Sequence, residues 1–164
     1  MTIARRDLLL GGAALAALSA YAVLRPIGSA HAAEGNFPFT LTDAQWKAKL
    51  DAAAYDVLRQ EGTERPFTSP LNDQHAAGTF HCAGCDQALF ASDTKFDSGT
   101  GWPSFYTFIA GSLGTTVDNT LGMTRTEVHC SNCGGHQGHV FDDGPAPTGL
   151  RYCINGVALS FVAA

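Results

Sequence analysis

The apolar and polar positions after residue 41 first follow a helical period. Residues 42–45 read Thr-Asp-Ala-Gln, the form of a capping box, in which a threonine caps a helix and a glutamine three residues later caps the threonine. Trp46 and Leu50 are four residues apart and would share the buried face of this helix. The pattern therefore predicts a short amphipathic helix that begins just after Thr42.

A second amphipathic segment begins at Asp51, which can cap a helix that extends to about Gln60. Gly62 is placed to terminate it, because glycine accepts the left-handed conformation that is common after helix ends. Its apolar positions include Ala54, Val57 and Leu58. Helical periodicity stops here, so we predict two short N-terminal helices.

From residue 78 onward the pattern changes to short runs rich in Gly, Thr, Phe and Val, separated by turn residues. Such runs predict strands at residues 79–81, 87–90, 105–109, 115–118, 124–128, 139–141 and 150–155. Runs this short and frequent indicate a mainly β body, largely antiparallel, behind the two helices.

The first 32 residues have the order and composition of an export signal. Arg5 and Arg6 precede a largely apolar run over residues 8–24, and residues 30–32 (Ala-His-Ala) form a small-x-small cleavage site. The paired arginines favour the twin-arginine route, with general secretory export as the other route. An uncleaved membrane anchor is the alternative, because the apolar run is nearly long enough to span a bilayer.

Cleavage would leave one domain over residues 33–164, located in the periplasm. It would remove three arginines and one aspartate from the 10 basic and 15 acidic residues of the chain, leaving 7 against 14 and a net charge of −7. A domain of this charge repels a phosphate backbone, so we expect no nucleic-acid partner. We expect the domain to be a monomer.

Four of the five cysteines form two C-x-x-C pairs. One turn brings the two sulfurs of such a pair to tetrahedral spacing, and four thiolates complete a structural zinc site. The residue after each pair needs a left-handed conformation, which Gly134 supplies and Asp86 tolerates. The predicted zinc ligands are Cys82, Cys85, Cys130 and Cys133.

Other readings of the paired cysteines remain open. Export to an oxidising compartment favours disulfides between them, unless zinc is bound before export of the folded protein. A thioredoxin-like redox motif is a weaker alternative, because neither pair stands at the start of a helix after a strand. His81 and His129 each adjoin a pair and could be ligands, although four thiolates already suffice.

Cys153 is left outside the two pairs. It lies in the run predicted as a strand over residues 150–155, so Arg151, Cys153 and Asn155 would project from one face and residues 152 and 154 from the other. A cation beside a thiol favours the nucleophilic thiolate. The alternative is an inert buried thiol, since free cysteine is often buried.

Four longer segments form an ordered set of motifs. They read ERPFTSPL at residues 64–71, KFDSGTGWPSF at 95–105, HQGHVFDDGP at 136–145 and GLRYCIN at 149–155. In this order they resemble the B-type methionine sulfoxide reductases, from about residue 41 to residue 161. The resemblance implies a zinc-centred, β-tent-like fold of two antiparallel sheets. It also implies reduction of methionine R-sulfoxide, within a peptide or as the free amino acid, to methionine.

The resemblance also implies a role for each reactive residue. Cys153 matches the catalytic cysteine, whose thiolate attacks the sulfoxide sulfur and is left as a sulfenic acid. His139 would protonate the departing oxygen, and His136 and Asn155 would help to hold that oxygen and an associated water. Arg151 would favour the Cys153 thiolate.

Two aromatic residues are assigned to the substrate pocket by the same resemblance. Trp102 matches the tryptophan whose indole face receives the S-methyl group, and Phe141 could line the same pocket. From the residues alone, Trp102 could equally be a packing residue. His136 and His139, three residues apart, would suit a second metal site, although no acidic or cysteine partner stands at ligand spacing.

Arg151 has an alternative role as well, because it could pair with Asp142 or Asp143 on the surface. Two other classes of function also remain: a zinc-stabilised β module that only binds partners, and a thiol-disulfide oxidoreductase that uses the C-x-x-C pairs. Of these readings, the resemblance favours the reductase.

Thr100 stands where many members of the family carry a second, resolving cysteine. With the four paired cysteines bound to zinc, no resolving thiol remains in the chain. We therefore expect an external thiol, either a thioredoxin-like protein or a small thiol, to reduce the sulfenic acid of Cys153. The other expected partners are proteins or peptides that contain methionine sulfoxide.

Overall fold

The computed structural model describes Ala33 and residues 35–164, so the predicted signal peptide lies outside the described residues. Within them, two α-helices precede nine strands that form two antiparallel sheets. The predicted mainly β class, with two antiparallel sheets behind short N-terminal helices, is confirmed. Among the described residues, no helix is both long and apolar enough to cross a membrane.

Helix α1 spans Asp43–Lys49 and begins as predicted. The Thr42 side chain accepts a hydrogen bond from the Gln45 backbone N–H, and the Gln45 side chain accepts one from the Thr42 N–H. These two bonds satisfy donors that a helix start would otherwise leave unpaired. Trp46 is buried and packs against Phe39, so this short helix is held by one large apolar side chain.

Helix α2 spans Ala52–Gln60, and the Asp51 side chain caps it by accepting from the Ala54 N–H. Its predicted apolar face is buried. The predicted terminator is wrong by one residue, because Glu61 rather than Gly62 adopts the left-handed conformation, with φ of 55°. Both the Glu61 and Gly62 N–H groups donate to the Asp56 carbonyl, and the helix ends at Gln60 as predicted.

The smaller sheet has the order β2-β1-β9. Its strands are β1 (Gly78–Cys82), β2 (Ala88–Ala91) and β9 (Leu159–Ala163). The larger sheet contains β3 (Lys95–Phe96), β4 (Ser104–Phe105), β5 (Leu113–Asp118), β6 (Arg125–Cys130), β7 (His136–Phe141) and β8 (Arg151–Ile154). Its order is β3-β4-β8-β7-β6-β5, which places β8 next to β7 in the interior of the sheet.

All seven predicted strands overlap observed ones, but the one over residues 105–109 is wrong beyond Phe105. After β4 the chain leaves the sheet, and its backbone N–H groups bond to other segments, Tyr106 to Thr94 and Ile109 to Leu89. Strands β3 and β9 were not predicted. Strand β3 forms by pairing with β4, and strand β9 forms by pairing with β1.

An aromatic cluster joins the two sheets. Phe90 of β2 stacks on Phe105 of β4 with ring centroids 4.1 Å apart, and Phe80 of β1 meets Phe105 edge-on at 5.0 Å. All three rings are fully buried, and burial of each such ring contributes about 1.5–3 kcal/mol. Tyr152 of β8 packs against Phe90, so this core also anchors the strand that carries Cys153.

Candidate active site

Strand β8 holds Cys153 between two core residues. Tyr152 and Ile154 are buried in the hydrophobic core, whereas Cys153 lines a pocket of about 170 Å³ on the other face. This is the alternation predicted from the sequence. We call this pocket the catalytic pocket. The residues that line it are Thr63, Trp102, Arg125, Gly138, His139, Phe141, Cys153 and Asn155.

His139 reaches the same pocket because β7 is the antiparallel neighbour of β8. His139 lies directly opposite Cys153 in the register, so the two side chains project from one face. The His139 Nε2 atom lies 2.8 Å from the Asp118 Oδ2 atom. Burial lowers the pKa of His139 below its ordinary value, and the hydrogen bond to Asp118 opposes that effect.

Asp118, at the end of β5, was not singled out from the sequence. Its Oδ2 atom accepts from both His139 and the Arg125 Nη2 group, the latter at 2.6 Å. Burial raises the pKa of Asp118, but hydrogen bonds from Thr120 and His139 and the charge of Arg125 outweigh it and lower the pKa. Asp118 is therefore an anion at neutral pH and stabilises a protonated His139.

His136 lies behind His139 rather than in the catalytic pocket. The two rings meet edge-on with centroids 5.4 Å apart. The His136 Nδ1 atom lies 2.9 Å from the Glu127 Oε1 atom, and both side chains are buried. Glu127, which was also not singled out, thus fixes the ring of His136. His136 and His139 belong to no metal-ligand cluster within the described residues.

His136 lines a second pocket, of about 200 Å³, that adjoins the first. We call it the side pocket. Three residues line both pockets: Thr63, Arg125 and His139. The side pocket also includes Leu121, which is highly exposed. The two pockets therefore share a wall at these three residues.

Asn155 lines the catalytic pocket, but most of its amide is already bound. Its Oδ1 atom accepts from the Glu64 N–H at 2.8 Å, and its Nδ2 group donates to the Gln137 carbonyl at 3.0 Å. One Nδ2 hydrogen remains beyond these bonds. The Asn155 side chain therefore also fixes the loop at Glu64, in addition to lining the pocket.

Glu64 in turn holds Trp102. The Trp102 indole N–H donates to the Glu64 carbonyl at 2.8 Å, while the Glu64 carboxylate accepts from the Gly156 N–H at 2.6 Å. Because the polar edge of the indole is bound, its orientation in the pocket is fixed. Trp102 and Phe141 both line the pocket with Cys153, as the sequence predicted.

Arg151 does not line the catalytic pocket. It makes two hydrogen bonds of 2.8 Å to the Asp143 carboxylate, and its guanidinium lies 4.5 Å from the centre of the Phe141 ring. The pairing with Asp143 that the sequence left open is therefore present. Burial raises the pKa of the Cys153 thiol, and the charge of Arg151 and a contact with Thr100 only partly offset it.

Thr100 lies beside Cys153, with its Oγ1 atom 3.9 Å from the sulfur. Its hydroxyl is 2.8 Å from that of Ser98, which is 2.7 Å from that of Ser104. Ser104 is the β4 residue opposite Cys153 in the register. The Cys153 thiol therefore faces a chain of hydroxyl groups at the position where many members of the family carry a resolving cysteine.

The four paired cysteines converge as predicted, and their sulfurs all lie within 4.8 Å of one another. The Cys82 and Cys133 sulfurs are 3.7 Å apart, and those of Cys85 and Cys130 are 3.6 Å apart. Tetrahedral bonds of about 2.3 Å to zinc place sulfurs about 3.8 Å apart. A disulfide requires about 2.05 Å. The geometry fits a shared metal ion, and all four cysteines are free.

The backbone and the neighbouring histidines agree with this cluster. Asp86 and Gly134 both adopt the predicted left-handed conformation, with φ of 63° and 67°. The His81 Nδ1 atom lies 2.9 Å from the Asp86 carbonyl oxygen, and His129 packs edge-on against Phe37. Neither histidine belongs to the ligand cluster among the described residues.

Comparisons with known proteins agree with this site. Residues 50–163 match the SelR domain family. Over 121 residues the chain is 57% identical to the peptide methionine sulfoxide reductase MsrB of Thiobacillus denitrificans, which covers 73% of this chain and 92% of the relative. The chain belongs to the B-type methionine sulfoxide reductases. The resemblance inferred from the four motifs is thus confirmed.

Two other relatives extend the agreement. The MsrB of Agrobacterium fabrum is 54% identical over 121 residues, covering 73% of this chain and 90% of the relative. The MsrB of Leptospira interrogans is 51% identical over 127 residues, covering 77% and 97%. The candidate reactive residues His139 and Cys153 lie on strands β7 and β8, and Trp102 lies on the loop before β4.

Proposed function

We propose that this protein reduces methionine R-sulfoxide in oxidised polypeptides to methionine, with Cys153 as the nucleophile. The register pair of Cys153 and His139 in a single pocket carries the proposal. A sulfur nucleophile and a proton donor are the two groups that removal of a sulfoxide oxygen requires. Trp102 and Phe141 provide an apolar wall for the S-methyl group.

The Cys153 thiolate attacks the sulfoxide sulfur and forms a bond to it. The oxygen is then transferred to the Cys153 sulfur, as the sulfur–oxygen bond of the substrate and the new sulfur–sulfur bond both break. Two electrons pass from the cysteine sulfur to the substrate sulfur, so methionine leaves and the oxygen remains on Cys153 as a sulfenic acid. His139 donates the proton that the departing oxygen needs. Asp118 stabilises the protonated form of His139 until that transfer.

The pKa of Cys153 is consistent with a thiolate formed at the moment of reaction. Burial raises this pKa, so the resting group is mainly a thiol. The contact with Thr100 and the charge of Arg151 act in the other direction and favour the thiolate. Arg151 acts on Cys153 from outside the pocket in this scheme, Asn155 lines the pocket, and His136 packs behind His139.

An external thiol regenerates the enzyme. The sulfenic acid and one thiol form a mixed disulfide and water, and a second thiol releases the Cys153 thiol and a disulfide. The donor is a thioredoxin-like protein or a small thiol. Thr100 supports reduction by an external thiol, because its Oγ1 atom lies 3.9 Å from the Cys153 sulfur and it carries no thiol that could form an internal disulfide.

Zinc is the metal that we propose for the four paired cysteines. Four thiolates are a soft donor set suited to structural zinc, and bound metal would tie the β1–β2 turn to the β6–β7 turn. We also propose that residues 1–32 direct export to the periplasm and are removed. Cell fractionation and N-terminal sequencing of the mature protein test this location, and an N-terminus at residue 1 would contradict it.

The experiment that tests the function is an epimer-resolved reduction assay. The zinc-loaded protein, with dithiothreitol as reductant, should convert methionine R-sulfoxide in a blocked peptide and leave the S epimer unchanged. Cys153→Ser should abolish methionine formation in a single turnover while zinc content and circular dichroism stay the same. Activity retained in Cys153→Ser would place the nucleophile elsewhere, and no activity in the wild type would favour a binding module.

A further inference from the structure

Gln137 is a fully buried polar residue that no step of the proposed reaction uses. It lies on β7 between His136 and His139. Its Nε2 group donates to the Cys82 sulfur at 3.4 Å and to the Gly135 carbonyl at 3.3 Å. Its Oε1 atom is buried and has no hydrogen-bond partner within the part of the chain that the structure describes. The donor end of this amide therefore has two partners, and one of them is a sulfur of the cysteine cluster.

The surroundings of the amide decide which of its ends faces that cluster. The Cys82 sulfur and the Gly135 carbonyl oxygen are both acceptors, so the donor end must face them. Turning the amide over would place Oε1 against these two acceptors and leave the Nε2 hydrogens without them. The unpaired Oε1 is thus the consequence of keeping N–H donors at the cluster.

An ordinary protein core would not favour glutamine at this position. A buried acceptor without a partner is unfavourable, and an apolar side chain of similar size would bury none. The cysteine cluster changes this comparison. Four negative thiolates and one divalent cation leave two negative charges, and the Cys82 sulfur that shares them is buried. An N–H donor beside buried negative charge stabilises it.

We propose that Gln137 is a positioning residue of the metal centre, which stabilises the metal-bound Cys82 thiolate by an N–H···S hydrogen bond and so raises the affinity of the centre for zinc. This inference rests on the zinc assigned under the proposed function and adds to it a residue that is not a ligand. The main chain of Gln137 also reaches the catalytic pocket, because its carbonyl accepts from the Asn155 N–H at 2.8 Å and from the Asn155 side chain at 3.0 Å. Gln137 is therefore bonded both to the metal centre and to a residue of the pocket.

Cobalt(II) is the probe for this hydrogen bond. It takes the tetrahedral site of zinc, and its thiolate-to-metal charge-transfer absorption reports on the electrons of the sulfurs. Gln137→Met removes the donor but keeps an unbranched side chain of similar length, and Gln137→Leu is a second variant without a donor. Gln87→Met is the matched control, because the Gln87 amide also lies beside a C-x-x-C turn but donates to the Ser112 carbonyl and the Ser131 hydroxyl.

Each protein is produced with cobalt(II) in the growth medium, and the absorption arises only from metal-bound molecules. Without the hydrogen bond the sulfur electrons are less stabilised, so the charge-transfer band should move to longer wavelength in both Gln137 variants and stay in place in Gln87→Met. Competition of the zinc-loaded proteins with a chelating dye should show an affinity for zinc about 10- to 100-fold lower in the Gln137 variants, the loss typical of a residue that supports a metal ligand.

An unmoved band or an unchanged affinity in both Gln137 variants would overturn the inference. An equal movement of the band in Gln87→Met would also overturn it, because the band would then report general packing around the cluster. If the wild type with cobalt(II) shows no thiolate charge-transfer band, the assignment of zinc to the four cysteines is wrong and this inference falls with it.

Discussion

Replacement of Asp118 by asparagine tests how the proton donor is held. The Asp118 Oδ2 atom accepts from His139 at 2.8 Å and from Arg125 at 2.6 Å. Asparagine keeps the size and one neutral acceptor but removes the charge. Hydrogen bonds to charged groups contribute about 1.5–3 kcal/mol, and we expect about 1–2 kcal/mol to be lost here, or a rate about 5- to 30-fold lower.

The pH dependence of this variant follows from the same contact. Burial lowers the pKa of His139, and the Asp118 hydrogen bond raises it. Loss of the charge therefore lowers this pKa further. An acid acts only while it is protonated, so the alkaline fall in rate should begin at a lower pH in Asp118→Asn than in the wild type.

The assay is single-turnover methionine formation measured by rapid quench between pH 5 and pH 9, with no reductant in the mixture. Asp43→Asn is the matched control, because Asp43 also pairs with a cation, Lys47, but on an exposed helix surface. We expect that variant to match the wild type in rate and pH profile. If Asp118→Asn did so as well, Asp118 would have no part in holding the acid.

Other predictions concern the metal, the core and the thiol. Cys133→Ser should lower bound zinc below one equivalent and lower the melting temperature, as measured by elemental analysis and calorimetry; full zinc content would show that three thiolates suffice. Phe105→Ala should lower the free energy of unfolding, measured by urea titration, by about 3–5 kcal/mol, because the Phe105 ring is fully buried. A loss under about 1 kcal/mol would mean that the core collapses into the space that the ring leaves. Alkylation of Cys153 by iodoacetamide should reach half its maximal rate at a higher pH than that of free cysteine, because burial raises its pKa; a lower midpoint would indicate a thiolate at rest.

Local chemistry made parts of the structure predictable. The capping box at Thr42 and Gln45 depends only on residues three apart, and the left-handed residues after the C-x-x-C pairs depend only on the turn. The alternation along β8 likewise follows from strand geometry. These features require no knowledge of which segments meet in space.

The missed residues depend on long-range register. Asp118, Arg125 and Glu127 are charged residues on or beside strands, and such residues usually face solvent. They reach the site because β5, β6 and β7 are adjacent strands, which sets Asp118 opposite Arg125 and Glu127 opposite His139. The sequence alone gives no register for these pairs, so it points to Arg151, two residues from Cys153 in the chain, and assigns no role to Arg125.

Strand register also links the hydrophobic core to the position of the Cys153 thiol. Tyr152 and Ile154 are buried on one face of β8, and Cys153 faces the pocket on the other. A slip of one residue would exchange these faces, moving the thiol into the core and an aromatic ring into the pocket. The aromatic contacts of Tyr152 with Phe90 and Phe108 oppose such a slip. The rings that stabilise the fold therefore also select the one register in which Cys153 lies opposite His139.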